Sequence, residues 1–300
     1  MASVSSWLRA FRLRTLPLAL STIFLGSFLA QYRGTFNGAV LAGALVTTLF
    51  LQILSNLAND YGDSVHGVDN HGRVGPQRSV QSGEITLPQM RMAVVIFSLL
   101  SFVSGVWLLV VARRGLTISY GIILLLIGVA AIAAALKYTI GKKPYGYAGL
   151  GDIAVFLFFG ITGVLGTYFL HTHDLPAAEF LPAMSIGFFS AGVLNLNNLR
   201  DRDNDRAHGK NTMVVKLGLP KAQWYHCLLI SSGLACAFLY TWLNYSSPWQ
   251  LIYLLVIPLF IRSMIVVFKT KDPRLLDPEL KKLALATLVF SLLFGVGLIL

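Results

Sequence analysis

The sequence predicts an all-α protein embedded in a bilayer, with nine transmembrane helices in one bundle. Charge is scarce, apolar stretches of spanning length recur along the chain, and basic residues fall on alternate connections. Of 300 residues, 55% are hydrophobic and only 12% charged, about half the charge of a typical soluble domain. Mean hydropathy is +0.68. This composition excludes a soluble enzyme, a fibrous protein and a disordered chain.

The elements follow from the gaps between charges. Stretches 15–32, 34–59, 92–112, 115–136, 153–173, 180–199 and 283–300 each run 18 to 26 residues without a charge. A bilayer core of about 30 Å takes about 20 residues as helix, so each stretch is one span. Stretch 222–261 is 40 residues long and is broken by the turn cluster Asn244-Tyr-Ser-Ser-Pro-Trp249, so it holds two spans, the second running on to about Phe268. Residues 1–300 then form a single polytopic domain. Residues 1–15 read as a short interfacial segment that lacks a cleavable signal. Its Trp7 and Phe11 are expected among lipid headgroups and its arginines on lipid phosphate, as a topological anchor rather than a substrate contact.

The net charge of +11 does not require a nucleic-acid partner, because basic residues accumulate in the cytoplasmic connections of membrane proteins. With the N-terminus inside and the segments alternating, twenty Lys and Arg lie on the inner side. Arg33, Arg113 and Arg114 lie on the outer side, and Arg262 within a span. The expected location is the cytoplasmic (inner) membrane, with the C-terminus outside. Cys227 and Cys236 both fall in the seventh span as small apolar residues and offer no metal spacing.

Polar residues concentrate at inner helix ends. After the second span, Asn59 and Asp63 are four apart and stack on one helical face. Asn56 and Asp60 form a second pair offset by about 60°, and Arg73 and Arg78 follow in a Gly/Pro-containing loop. After the sixth span, Asn197, Asp201 and Asp205 share one face, with Gly209 and Lys210 beyond. The two segments, in active-site loops 60–91 and 200–221, occupy matching places, which suggests a duplicated four-helix unit plus one helix. A carboxylate at a bilayer edge costs several kcal/mol unless paired, and two facing groups of carboxylates repel unless a cation lies between them. Oxygen-only ligands favour Mg²⁺, which takes one or two carboxylates and phosphate oxygens. Nearby Arg and Lys bind the same phosphates. Helix capping explains one such motif; two matching ones point to a diphosphate site. After the fourth span, Tyr138 and Lys142 share a face ahead of a glycine-rich run to Asp152. By itself this is an ordinary positive loop with interfacial tyrosines, although Lys142 is able to reach the same phosphates.

Together, the two Asp-rich segments, the Tyr-x-x-x-Lys between them and the nine spans resemble the UbiA superfamily of intramembrane prenyltransferases. Asn59-Asp-Tyr-Gly-Asp63 with Gly67-Val-Asp69, the Arg73-Val-Gly-Pro-Gln-Arg78 loop, the run from Tyr138 to Asp152, and Asn198-Leu-Arg-Asp201 with Asp205 and Gly209-Lys-Asn-Thr212 are similar to its naphthoate branch. Their order and spacing relative to the spans extend over nearly the whole chain. The resemblance implies transfer of a polyprenyl group from polyprenyl diphosphate to 1,4-dihydroxy-2-naphthoate with loss of CO₂, giving demethylmenaquinol in menaquinone biosynthesis. It implies Mg²⁺ on Asn59, Asp63, Asp201 and Asp205, and diphosphate on Arg73, Arg78, Lys142, Asn198 and Lys210. Tyr138 would face the allylic cation, and Asp60, Arg78 and Lys142 are candidates for orienting the aromatic acid. No protein or nucleic-acid partner is implied. The general superfamily pattern has an acid where Gly67 stands; here Asp69 follows two residues later.

Two other classes compete. A secondary transporter also carries intramembrane polar groups, but near the midplane in interrupted helices, whereas these acids sit at helix ends on one side. A phosphatidyl-group transferase needs an Asp-Gly-x-x-Ala-Arg pattern that is absent. Within the superfamily, 4-hydroxybenzoate is the nearest alternative acceptor.

Overall fold

A computed structural model describes residues 2–69 and 74–300. Among these residues no strand occurs, and nine helices are long and apolar enough to cross a bilayer, as the charge gaps predict.

The first helix, α1 (Val4–Phe11), is capped by the Ser3 hydroxyl accepting from the Ser6 amide and ends at Arg12, which takes φ 49°. Here the arginines differ from expectation. Arg9 pairs with Glu84 at 2.6 Å, Arg12 with Asp60, and Arg14 with Asp277 at 3.2 Å. Trp7 and Phe11 pack on a cluster around Ile53, Leu57 and Met90 rather than standing alone in lipid. Protein carboxylates lie within reach of all three guanidinium groups.

The spans are α2 (Leu16–Tyr32), α3 (Gly38–Val65), α4 (Leu87–Val111), α5 (Ile118–Lys137), α6 (Gly151–Thr172), α7 (Phe180–Ala207), α8 (Leu219–Leu243), α9 (Pro248–Lys269) and α10 (Asp277–Ile299). Four of the nine starts, those of α3, α4, α5 and α9, carry side-chain caps. The Asn37 side chain accepts from Ala39 and Val40, Thr86 and Gln89 form a capping box, and Thr117 accepts from Tyr120.

Both helices that carry the Asp motifs are 28 residues long, about 42 Å at 1.5 Å per residue against a hydrocarbon core of about 30 Å. Their last turns therefore continue past the apolar layer as helix. This moves the start of each polar loop from residues 60 and 200 to beyond Val65 and Ala207.

The dense core lies between α7, α8, α9 and α10, where Phe189 stacks on Phe260 at 4.3 Å and meets Phe290 edge-on at 5.1 Å. The first span packs against the last, α2 on α10. On the other side α3 carries α4 and α5, and α5 buries none of its residues. The middle of α6, Phe156–Leu165, is a π-helix, a rare form that is frequent at functional sites. It crosses α7 closely: a Cβ on Gly160 would stand 2.6 Å from the Gly187 Cα.

Candidate active site

A cavity of about 440 Å³ runs between α2, α3, α4, α5, α6 and α7, within the range of small-ligand sites. One end is lined by Asn59, Asp63, Asp201 and Asp205 at the projecting ends of α3 and α7; the other is lined by Ile23, Ala44, Leu108 and Leu170. Those last four also belong to an apolar cluster at the opposite ends of the helices, which closes the cavity there. The chamber thus joins an acidic and basic mouth to an apolar shaft across most of the bundle.

At the mouth the first motif presents Asn59, whose buried side-chain oxygen has no hydrogen-bond partner. One turn on, Asp63 accepts from the Tyr147 hydroxyl at 2.7 Å and from the Lys210 ammonium at 3.2 and 3.3 Å. Gly67 then turns the chain in the left-handed region at φ 70°, where L side chains with a Cβ are disfavoured. This brings Asp69 back to the cavity wall, with Arg78 Nε at 3.8 Å. A carboxylate thus stands on the cavity wall two residues after Gly67.

The second motif presents Asn197, Asn198, Asp201 and Asp205 to the same cavity. Arg200 grips both oxygens of Asp201, at 2.9 and 2.6 Å, while also bonding Asn197 and Asp277. The Asn204 side chain donates to the Val68 carbonyl at 3.0 Å and ties the end of α7 to the loop after α3.

Asp60 faces away from the cavity. It is 1% exposed and holds two guanidinium groups, those of Arg12 and Arg78, the latter at 3.3 Å. Both arginines line the cavity, so Asp60 acts through them. Burial pushes the pKa of Arg78 down to about 9, and the group stays charged at neutral pH. Arg12 is backed by a polar shelf in which Gln52 and Asn56 both donate to the Thr15 hydroxyl at 3.0 Å.

Tyr138 lines the cavity beside Tyr145, rings edge to face at 5.4 Å. Burial first, and the Asp152 and Asp63 charges after it, raise its phenol pKa, so it presents a neutral aromatic face. Lys142, expected at the phosphates, is exposed and outside the cavity lining. The chain turns at Gly141, at φ 113°, and carries Lys142 toward solvent. Arg73 lies outside the described residues.

Among the described residues, no three His, Cys, Asp or Glu side chains come close enough to enclose a metal ion. The donor set nonetheless fits Mg²⁺, which draws much of its shell from phosphate oxygens and water. Asn59 contributes an unengaged oxygen, and Asp63, Asp201 and Asp205 line one wall with it. Sequence reasoning missed Arg12, Tyr147 and Arg200 as parts of the site. Arg12 sat in an apparent lipid anchor and Arg200 in a charge run; only the direct adjacency of Arg200 to Asp201 marked it.

The sequence profile of the UbiA prenyltransferase family matches residues 19–298. The chain belongs to the UbiA prenyltransferase family. A curated relative in the family, 1,4-dihydroxy-2-naphthoate octaprenyltransferase of Escherichia coli (strain K12), is 42% identical over 300 residues, covering 100% of this chain and 97% of its own. Among solved members, the fold is similar to a UbiA homologue from Aeropyrum pernix K1, with TM-score 0.68 at 17% identity over 96% of this chain and 98% of that one. A UbiA homologue from Archaeoglobus fulgidus, solved with GPP and Mg²⁺, gives TM-score 0.65 at 16% identity over 98% and 99%.

Proposed function

We propose that the protein transfers a polyprenyl group from polyprenyl diphosphate to 1,4-dihydroxy-2-naphthoate, with loss of CO₂, in the menaquinone pathway. One observation carries the reading: a single cavity that is carboxylate- and cation-lined at one end and apolar along the rest. That shape suits an amphiphile with an anionic head and a long hydrocarbon tail. The acceptor assignment draws support from the 42% identity to the naphthoate enzyme of Escherichia coli.

Asn59, Asp63, Asp201 and Asp205 are the residues that would hold Mg²⁺. Bound there, the ion supplies Lewis-acid neutralisation of the diphosphate, making it a leaving group. Lys210, Arg78 and Asn198 bind the diphosphate oxygens, which gain charge as the carbon–oxygen bond breaks. Tyr138 turns a neutral ring to the allylic cation and presents no phenolate to capture it. The apolar shaft, with Phe158, Phe159 and Leu109 on its walls, keeps water from that cation. The guanidinium pair Arg12 and Arg78 draws in the acceptor's carboxylate; the ring carbon bearing that carboxylate forms the new bond, and CO₂ leaves. Consistent with the one-sided distribution of basic residues, the mouth faces the cytoplasm, the C-terminus lies outside, and the membrane is the inner one.

The test is turnover by purified protein in detergent with Mg²⁺, a polyprenyl diphosphate and one acceptor. Prenylation of 1,4-dihydroxy-2-naphthoate that stops on adding EDTA supports the reading. Prenylation of 4-hydroxybenzoate alone would overturn the acceptor, and turnover unaffected by EDTA the metal.

A further inference from the structure

Tyr147 stands where three parts of the inner mouth meet. Its hydroxyl donates to Asp63 Oδ1 at 2.7 Å at the end of α3. Its carbonyl accepts from the Asn211 amide at 3.0 Å, and the next carbonyl, Ala148, from the Lys216 ammonium at 2.6 Å. The His66 ring meets its edge at 5.2 Å, and His66 also contacts the Gly141 carbonyl at 3.1 Å. The ring is thus held by α3, by its own loop and by the loop after α7, yet it does not line the cavity. Any influence on the reaction passes through the side chains it touches, Asp63 and, over its ring, Lys210.

The two partners of Asp63 differ in quality. The phenol bond is at full hydrogen-bond strength. The ammonium sits at 3.2 and 3.3 Å from the two oxygens, longer than the 2.7–2.9 Å or so of a good charge-assisted bond. It also rests over the Tyr147 ring at 5.1 Å, which gives it a second place to stay. Of the two, the ammonium is the partner more easily exchanged.

We infer that Tyr147 is a positioning residue for cation binding: its hydroxyl fixes the Asp63 carboxylate through Oδ1 and leaves Oδ2 to an incoming divalent cation, while Lys210 is the partner that yields. The inference rests on the diphosphate-site reading above and assigns a role to a side chain that touches neither the cavity nor the substrate. Removing the hydroxyl frees the carboxylate to turn toward Lys210, which then competes with the cation for both oxygens.

The experiment is isothermal titration of Mg²⁺ into full-length protein in detergent, with inorganic diphosphate as the phosphate probe. Tyr147→Phe is expected to weaken Mg²⁺ binding about three- to tenfold, the span for the net contribution of one ordinary hydrogen bond. Unfolding of the cation-free variant should stay close to that of the parent, which a merely structural role would not predict. Tyr145→Phe is the control: it loses a hydroxyl from the same loop, but that hydroxyl bonds the Ala134 carbonyl, and Mg²⁺ affinity should not change. Lys210→Met gives an independent arm, because loss of the competitor should tighten binding of Mg²⁺ added without diphosphate. Wild-type Mg²⁺ binding with Tyr147→Phe unaltered, or equally weakened Tyr145→Phe, overturns the inference alone. If Tyr147→Phe does not fold, Lys210→Met with Mg²⁺ affinity equal to the parent's overturns it. A wild-type protein that binds no Mg²⁺ in the presence of diphosphate overturns the site reading as well.

Discussion

Replacing Asp60 with Ala tests whether this carboxylate works as an anchor for arginines rather than as a residue that orients the aromatic acid. Its side chain is 2% exposed, and those of its partners Arg12 and Arg78 are 12% and 9%. Removing one member of such a buried pair costs about 3–5 kcal/mol, because the remaining charge is left unpaired. Two guanidinium groups share this one carboxylate. Asp69, at 3.8 Å from Arg78, is too far to take its place by hydrogen bonding, so Asp60→Ala should fall in that range. Asp60→Asn retains an acceptor and loses the charge, for about 1.5–3 kcal/mol. The assay is denaturant unfolding in detergent micelles followed by far-UV circular dichroism. Adding Arg78→Met to Asp60→Ala should restore part of the loss by removing one of the two stranded charges. An Asp60→Ala protein within about 1 kcal/mol of the parent, or a double variant no more stable than the single one, would refute the buried-anchor account.

Three other outcomes follow from the geometry. Lys142→Ala removes an exposed ammonium outside the cavity, so diphosphate affinity by titration should stay within about twofold; a tenfold loss would return Lys142 to the site. Ala44→Phe fills the closed end of the shaft and should shorten the longest prenyl chain accepted, read by mass spectrometry of products from a ladder of prenyl diphosphates. An unchanged ladder would mean that the tail lies elsewhere. Because burial raises the Tyr138 phenol pKa above its ordinary 10.0, the neutral form persists as pH rises to that value. The rate profile of Tyr138→Phe should therefore run parallel to the parent's up to pH 10; an alkaline limb present only in the parent would count against a neutral ring.

The nine spans were legible because a bilayer leaves a simple record: a charge every 20 or so residues and almost none between. Asn59 with Asp63, and Asn197 with Asp201 and Asp205, were legible because spacing of four keeps side chains on one helical face, and both helices continue past the apolar layer. Lys142 was misplaced for a complementary reason. Its spacing from Tyr138 presumes a helix, but α5 ends at Lys137 and the chain turns at Gly141. Asp60 looked like a site residue because it sits between two others in sequence, yet an offset of about 60° from the Asp63 face turns it to Arg12 and Arg78 and away from the cavity lining. Arg12 and Tyr147 owe their roles to contacts across 48 and 84 residues, and no local period records those.

The packing of α2 on α10 sets an order of events in the making of the protein. The ribosome delivers α2 first and α10 last, and helices inserted in a bilayer associate only once their partners are present. The face of α2 that packs on α10 therefore waits in lipid until that helix arrives, while its other faces meet α3, α6 and α7 earlier. Asp277, at the start of α10, is also where Arg14 and Arg200 converge, at 3.2 and 2.5 Å. Arg200 is in turn the side chain that grips Asp201. A nascent chain lacking α10 already contains both Asp motifs but lacks the carboxylate that holds Arg200 from outside its own helix. The arrival of the last helix both closes the bundle and completes the mouth, so chains that stop short are left without a finished site.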